Sequence, residues 1–207
     1  MKVVRPEDYI VTDWSGGKTI QLAIAPEGAV YADRDFLWRL SSATVDLEES
    51  DFTALPDYRR WIAPLDGVMR LTHNGGEEVV LAPYECHAFD GADDTHSWGK
   101  CTDFNLMLRK GRCDGEISCI RFADQSTHTL SFATGTETVP AYCVKGSVKA
   151  QEGRGCAACA GIPAEAAQDP CVLAPKHSLL LENASGAVLT VEGTPDTVLM
   201  LAEIRQA

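Results

Sequence analysis

The sequence predicts an all-β chain built as two small β-barrel or jelly-roll modules. The first observation behind this is a repeated framework. Leu65-Asp66-Gly67-Val68-Met69, Val80-Leu81-Ala82-Pro83 and Phe104-Asn105-Leu106-Met107-Leu108 are echoed by Val144-Lys145-Gly146-Ser147-Val148, Val172-Leu173-Ala174-Pro175 and Thr197-Val198-Leu199-Met200-Leu201. The second is the chemistry of each copy: a strand bearing a glycine, a strand stopped by proline, and a strongly apolar strand. Proline lacks a ladder donor and Gly, Asn and Asp favour turns, so these are short antiparallel strands rather than crossover units. The third is the period of the repeat, close to half the chain, which is the signature of duplicated modules.

Taken in order, Met1 to Ile24 ends in Trp14-Ser15-Gly16-Gly17-Lys18-Thr19, a tight turn running into an alternating strand. Paired glycines permit close backbone approach, so the turn is either a plain hairpin with a packed tryptophan or a set of donors for an anion. Phe36 to Val45 alternates so that Arg39 and Ser41 share one face and Trp38, Leu40 and Ser42 the other. An arginine on such a strand needs polar partners. Its planar fork suits a carboxylate, and a salt bridge at the barrel rim explains it equally well. Phe52 to Arg60 reads as a turn-rich connection cornering at Pro56-Asp57, and Asn74-Gly75-Gly76 as a hairpin. Ser97 to Met107 reads as a return strand that places Asp103 and Asn105 on one face. Gly111 to Gly115 separates the modules, giving residues 1–112 and 113–207. The connection between Val148 and Val172 carries a short helix over Pro163 to Gln168.

The chain has 207 residues, 45% apolar and 23% charged, enough for one large β domain or two small modules. A formal net charge of -12 with no basic patch argues against nucleic acid as a partner. MKVVRPEDYIV has no apolar export core and no later run suits a bilayer, so the expectation is a cytoplasmic protein with no membrane partner. The eight cysteines then read as reduced thiols. Cys156 and Cys159 form a C-x2-C pair and a weak metal candidate, lacking a second such pair. His73, His87 and His96 invite a metal-dependent enzyme as the alternative reading, although the H-x-H pattern common in metal-binding cupin barrels is missing.

WSGGKT, FLWRLSSATV, FTALPDYRRWIAPLDG, LAPYECHAFDG and TDFNLMLR together resemble the HutD/Ves family of bacterial bicupin-like proteins, over roughly residues 8 to 205. The resemblance implies two cupin-like (jelly-roll) β-barrel modules, a homodimer, and a role as regulator or sensor in histidine utilisation. It implies no established reaction and no cofactor, and a small organic acid such as urocanate or formylglutamate as ligand. Carried over by motif, the ligand-binding residues are Trp14, Ser15, Gly16, Gly17, Thr19, Trp38, Arg39, Ser41, Asp103 and Asn105. Trp38 and Phe89 are expected to wall the pocket. A regulator acting only through protein contacts remains a further alternative.

Overall fold

The computed structural model describes residues 1–154 and 169–207. The helix expected over Pro163 to Gln168, and the Cys156–Cys159 pair, lie outside these residues. In chain order the strands are β1 (Lys2–Val4), β2 (Ile10–Trp14), β3 (Gly17–Ala25), β4 (Trp38–Val45), β5 (Glu49–Asp51), β6 (Tyr58–Asp66), β7 (Met69–His73), β8 (Val79–Leu81), β9 (His87–Asp90), β10 (Thr95–Trp98) and β11 (Cys101–Arg109). There follow β12 (Cys113–Phe122), β13 (Ser126–Ser131), β14 (Thr136–Lys145), β15 (Val148–Arg154), β16 (Cys171–Leu173), β17 (Ser178–Glu182), β18 (Ala187–Gly193) and β19 (Thr197–Gln206). No described helix is long and apolar enough to cross a membrane.

Two compact units result. One comprises Tyr9–Ser118 with Ala207, the other Met1–Asp8 with Cys119–Gln206. This differs from a division into 1–112 and 113–207. β1 pairs with β17, Val3 opposite Leu179, and Val3 packs on the core of the C-terminal unit.

In the first unit a six-stranded sheet, β2-β3-β4-β11-β6-β9, faces a four-stranded one, β5-β10-β7-β8. Val45, Ile62, Phe89 and Cys101 from the larger sheet pack with Met69, Leu71 and Leu81 from the smaller. The second unit has sheets β1-β17-β14-β19-β12 and β13-β18-β15-β16. The order β4-β11-β6-β9 thus recurs as β12-β19-β14-β17, and β5-β10-β7-β8 as β13-β18-β15-β16. Both units are cupin-like barrels of one topology. Gly67 and Gly146 hold the same left-handed corner, at φ 65° and 78°, between the equivalent pairs β6–β7 and β14–β15.

Three local readings change. The stretch Phe52 to Arg60 is not all connection, because β6 begins at Tyr58. Its corner does fall at Pro56-Asp57, closed by the Tyr58 N–H on the Leu55 carbonyl at 3.0 Å. The strand expected over Ser97 to Met107 is two, broken at Gly99, whose φ of 105° and N–H bond to the Glu48 carbonyl turn the chain from one sheet to the other. In the repeat, the apolar strands slip relative to the sequence match: Asp103 pairs with Pro64 and Leu199 with Cys143, each partner three residues before its corner glycine. Leucine-rich strands carry too little pattern to fix register unaided.

Candidate functional site

Strand register lays the polar residues of the first barrel in three rows on one face of its larger sheet. Thr19, Ala43, Asp103 and Pro64 form one row. The next holds Gln21, Ser41, Asn105, Ile62 and His87, and the third Ile24, Arg39, Met107, Arg60 and Phe89. A bulge in β3 between Gln21 and Ala23 keeps Gln21 and Ile24 on this face together. The face is the barrel interior, since Ile62 and Phe89 belong to the core between the sheets.

Arg39 is 5% exposed, and burial lowers its pKa. Its Nε donates to Gln21 Oε1 at 2.9 Å and its Nη1 to Ser41 Oγ at 3.2 Å, while its guanidinium lies 4.3 Å from the centroid of the Tyr31 ring. Arg60 is 6% exposed and less well provided for. Phe52 and Phe89 hold its guanidinium at 4.9 and 5.0 Å from their ring centroids, the sole recorded hydrogen bond is a long one of 3.5 Å from Nη1 to the Thr53 carbonyl, and Nε is buried without a partner. Desolvation pushes its pKa down to about 10. Two rows along the central strand β11, Asp103 Oδ1 accepts from the Ala43 N–H at 3.2 Å. Burial raises its pKa to about 7 despite the pull of both arginines. Asn105 is 6% exposed and its Oδ1 has no partner.

Of the sequence-derived residues, the structure brings Thr19, Arg39, Ser41, Phe89, Asp103 and Asn105 onto this face. Trp38 is not among them: it is buried, but alternation along β4 puts it on the opposite side from Arg39. Phe52 takes the place expected of it as the second aromatic wall. Trp14, Ser15, Gly16 and Gly17 make the hairpin turn from β2 to β3, where Trp14 packs on the barrel core with its Nε1 buried and unpartnered. Gly16 accepts from the Asp46 N–H at 2.7 Å, a Cβ on Gly16 would lie 2.3 Å from the Trp14 ring, and one on Gly17 would lie 2.1 Å from the Thr44 carbonyl oxygen. Sequence reasoning missed Arg60, Gln21, Phe52 and Tyr31. Alternation of Tyr58, Arg60 and Ile62 was the available signal for Arg60, hidden by reading Tyr58 to Arg60 as a loop.

The histidines divide. His96 lies beside Asp51 and Glu49, and the hydrogen bond to Asp51 raises its pKa. His73 and His87 meet, Nε2 to Nε2 at 2.9 Å, and both rings stack with Phe89. The Thr95 hydroxyl lies 2.9 Å from His73 Nδ1 and 3.3 Å from the Asp93 carbonyl. Of the two Nε2 atoms, one donates its proton and the other accepts it, as a pair of neutral imidazoles requires. Their facing lone pair and proton are thus committed to each other, and among the described residues no group of three His, Cys, Asp or Glu side chains is gathered as a metal would require. This donor set does not fit the metal site of a metal-dependent barrel.

The HutD family model matches residues 6–199. No curated protein sequence matches the chain. Among solved structures, a conserved protein of unknown function from Pseudomonas aeruginosa PAO1 superposes with a TM-score of 0.81 at 23% identity, covering 99% of this chain and 98% of that one. HutD from Pseudomonas fluorescens SBW25, in its formate condition, gives 0.72 at 23% identity over 100% and 98%. The nickel(II) complex of the Escherichia coli pirin YhhW gives 0.67 at 8% identity over 100% and 99%. At these identities the structures establish a shared fold.

Proposed function

The chain belongs to the HutD family, and on that premise we propose that its first barrel is a non-catalytic receptor for a small organic acid, serving as a regulator or sensor in histidine utilisation. The observation that carries this is a charge imbalance. Two buried guanidinium groups share one interior face, and neither forms an ion pair among the described residues. Removing an unpaired charge from water costs several kcal/mol, so such groups await a counter-ion. Asp103 balances one of them at most, and only when ionised.

The second barrel supports the same reading as an internal control. Arg60 lies seven residues before Gly67, and Val139 lies seven before Gly146. Asp103 and Asn105 pair with Pro64 and Ile62; Leu199 and Leu201 pair with the equivalent Cys143 and Ala141. Val139, Leu199 and Leu201 are all buried in an apolar core. The framework closes without polar residues at these stations, so the first barrel keeps them for something other than folding.

A bound carboxylate would take the Nε edge of Arg60, whose guanidinium is flanked by the adjoining rings of Phe52 and Phe89, and the remaining N–H groups of Arg39. The arginines stand two strand spacings apart, about 10 Å at the backbone, and their long side chains can converge on one small anion. Urocanate and formylglutamate are the candidate ligands, and formate the minimal one. A thermal-shift titration tests this: a true ligand at a hundred times its Kd adds about 2.7 kcal/mol, or roughly 5–10 °C for a chain of this size. The shift should vanish in Arg60→Met, and a screen in which none of the three acids moves the wild-type protein rejects the proposal.

A further inference from the structure

Resting on that carboxylate reading, we infer that the ligand also carries a hydrogen-bond donor, an N–H or O–H a few bonds from its carboxylate, and that Asn105 selects for it. Of four side-chain oxygens on the interior face, Gln21 Oε1, Ser41 Oγ, Asp103 Oδ1 and Asn105 Oδ1, three are engaged. Gln21 Oε1 and Ser41 Oγ take the Nε and Nη1 protons of Arg39, and Asp103 Oδ1 takes the Ala43 N–H. The fourth, Asn105 Oδ1, is buried with no partner. A buried polar atom left unsatisfied costs about 1–3 kcal/mol, and native interiors rarely leave one so.

The orphaned donor nearby does not fill the gap. Arg60 Nε lies on the adjacent strand one row away, since Asn105 pairs with Ile62 and Arg60 with Met107, yet the two atoms remain apart and both unpartnered. They have opposite needs. A carboxylate satisfies Arg60 Nε and repels Asn105 Oδ1, so a simple carboxylate completes half of the site. One row along a strand is about 6.6 Å, so a single small molecule spans both. In the second barrel the station of Asn105 holds Leu201, paired with Ala141, so the fold does not require an amide there.

The test is a matched pair of probes, N-acetylglycine and acetoxyacetate, which have the same heavy-atom framework with N–H exchanged for ester oxygen. Calorimetry on the full-length protein should show N-acetylglycine bound about tenfold or more tightly, because the ester sets oxygen against oxygen. In Asn105→Leu the two affinities should converge. Equal binding of the pair by the wild-type protein, or a preference for the ester, overturns the inference while leaving the carboxylate site standing. Binding of formate with neither larger probe overturns it as well. If formate also fails to bind, the premise falls and takes the inference with it. The wild-type ratio decides the matter even if the variant does not fold.

Discussion

Arg60 and Val139 occupy the same station in two copies of one barrel, each seven residues before a left-handed glycine and each buried on the inner face of its larger sheet. One is a guanidinium without an ion pair and the other a packed aliphatic. Arg60→Met is therefore expected to keep the stability of the protein within about 1 kcal/mol, or raise it, because an apolar side chain of similar volume replaces a desolvated charge beside Phe52 and Phe89. Carboxylate affinity should fall by about 30-fold or more. Parallel denaturation and calorimetry check this, and a loss of stability matching the loss of binding would mark Arg60 as structural.

Asp103 should make carboxylate binding depend on pH. Folded, it keeps its proton up to about pH 7, whereas an exposed aspartate releases it near about 3.9. The folded state thus binds the proton more tightly, and this group withdraws stability as pH rises from about 4 through 7. A ligand carboxylate beside it strengthens its hold on the proton further, so binding takes up a proton and affinity rises as pH falls from 8 to 6, by at most about tenfold per unit. Calorimetry in buffers of different ionisation enthalpy should register that proton. Asp103→Asn, which keeps the oxygen that accepts from Ala43, should flatten both trends; an unchanged pH profile would remove Asp103 from the site.

The histidines should titrate in a fixed order. Partial burial lowers His73 and His87, each further disfavoured by a cationic neighbour, Arg60 for His73 and His73 for His87, while Asp51 raises the half-buried His96. Nitrogen-detected NMR should find one Nε2 of the His73–His87 pair protonated and the other not, both rings staying neutral below the ordinary 6.5 at which His96 is already charged. For this half-buried pair the charged form is favoured in the unfolded chain, so their contribution to stability is lost as pH falls below about 6.5. Identical titration of all three would contradict the contact between Nε2 atoms.

Much of this was legible from residues alone, and what was hidden has a common cause. Arg39, Ser41, Asp103 and Asn105 stand out because polar groups recur every second residue in strands that are otherwise apolar. Arg60 follows the same rule, yet the turn signal of Pro56-Asp57 masks a strand that starts only at Tyr58. The register of β19 was hidden for the opposite reason: Val198 to Leu201 is uniformly apolar and gives no phase. Gly16 and Gly17 were legible as a turn, while only the structure shows how closely Trp14 and Thr44 pack against it.

That packing makes the turn a test of its own. Gly17 sits at φ 151° where an added Cβ would lie 2.1 Å from the Thr44 carbonyl oxygen, a backbone atom that cannot swing aside. Gly28, at φ 86°, has nothing within 4 Å of the same position. Gly28→Ala therefore carries backbone strain alone, about 1 kcal/mol, whereas Gly17→Ala adds a clash between β3 and the end of β4 and should cost about 2 kcal/mol or more. In a melt this separates as a loss of roughly 4–8 °C for Gly17→Ala against half that for Gly28→Ala. Because Thr19 follows in the row of Asp103, a turn that only serves the fold predicts that the surviving Gly17→Ala protein, assayed well below its Tm, binds formate with wild-type affinity. Lost binding in a folded Gly17→Ala protein would return the turn to the ligand site.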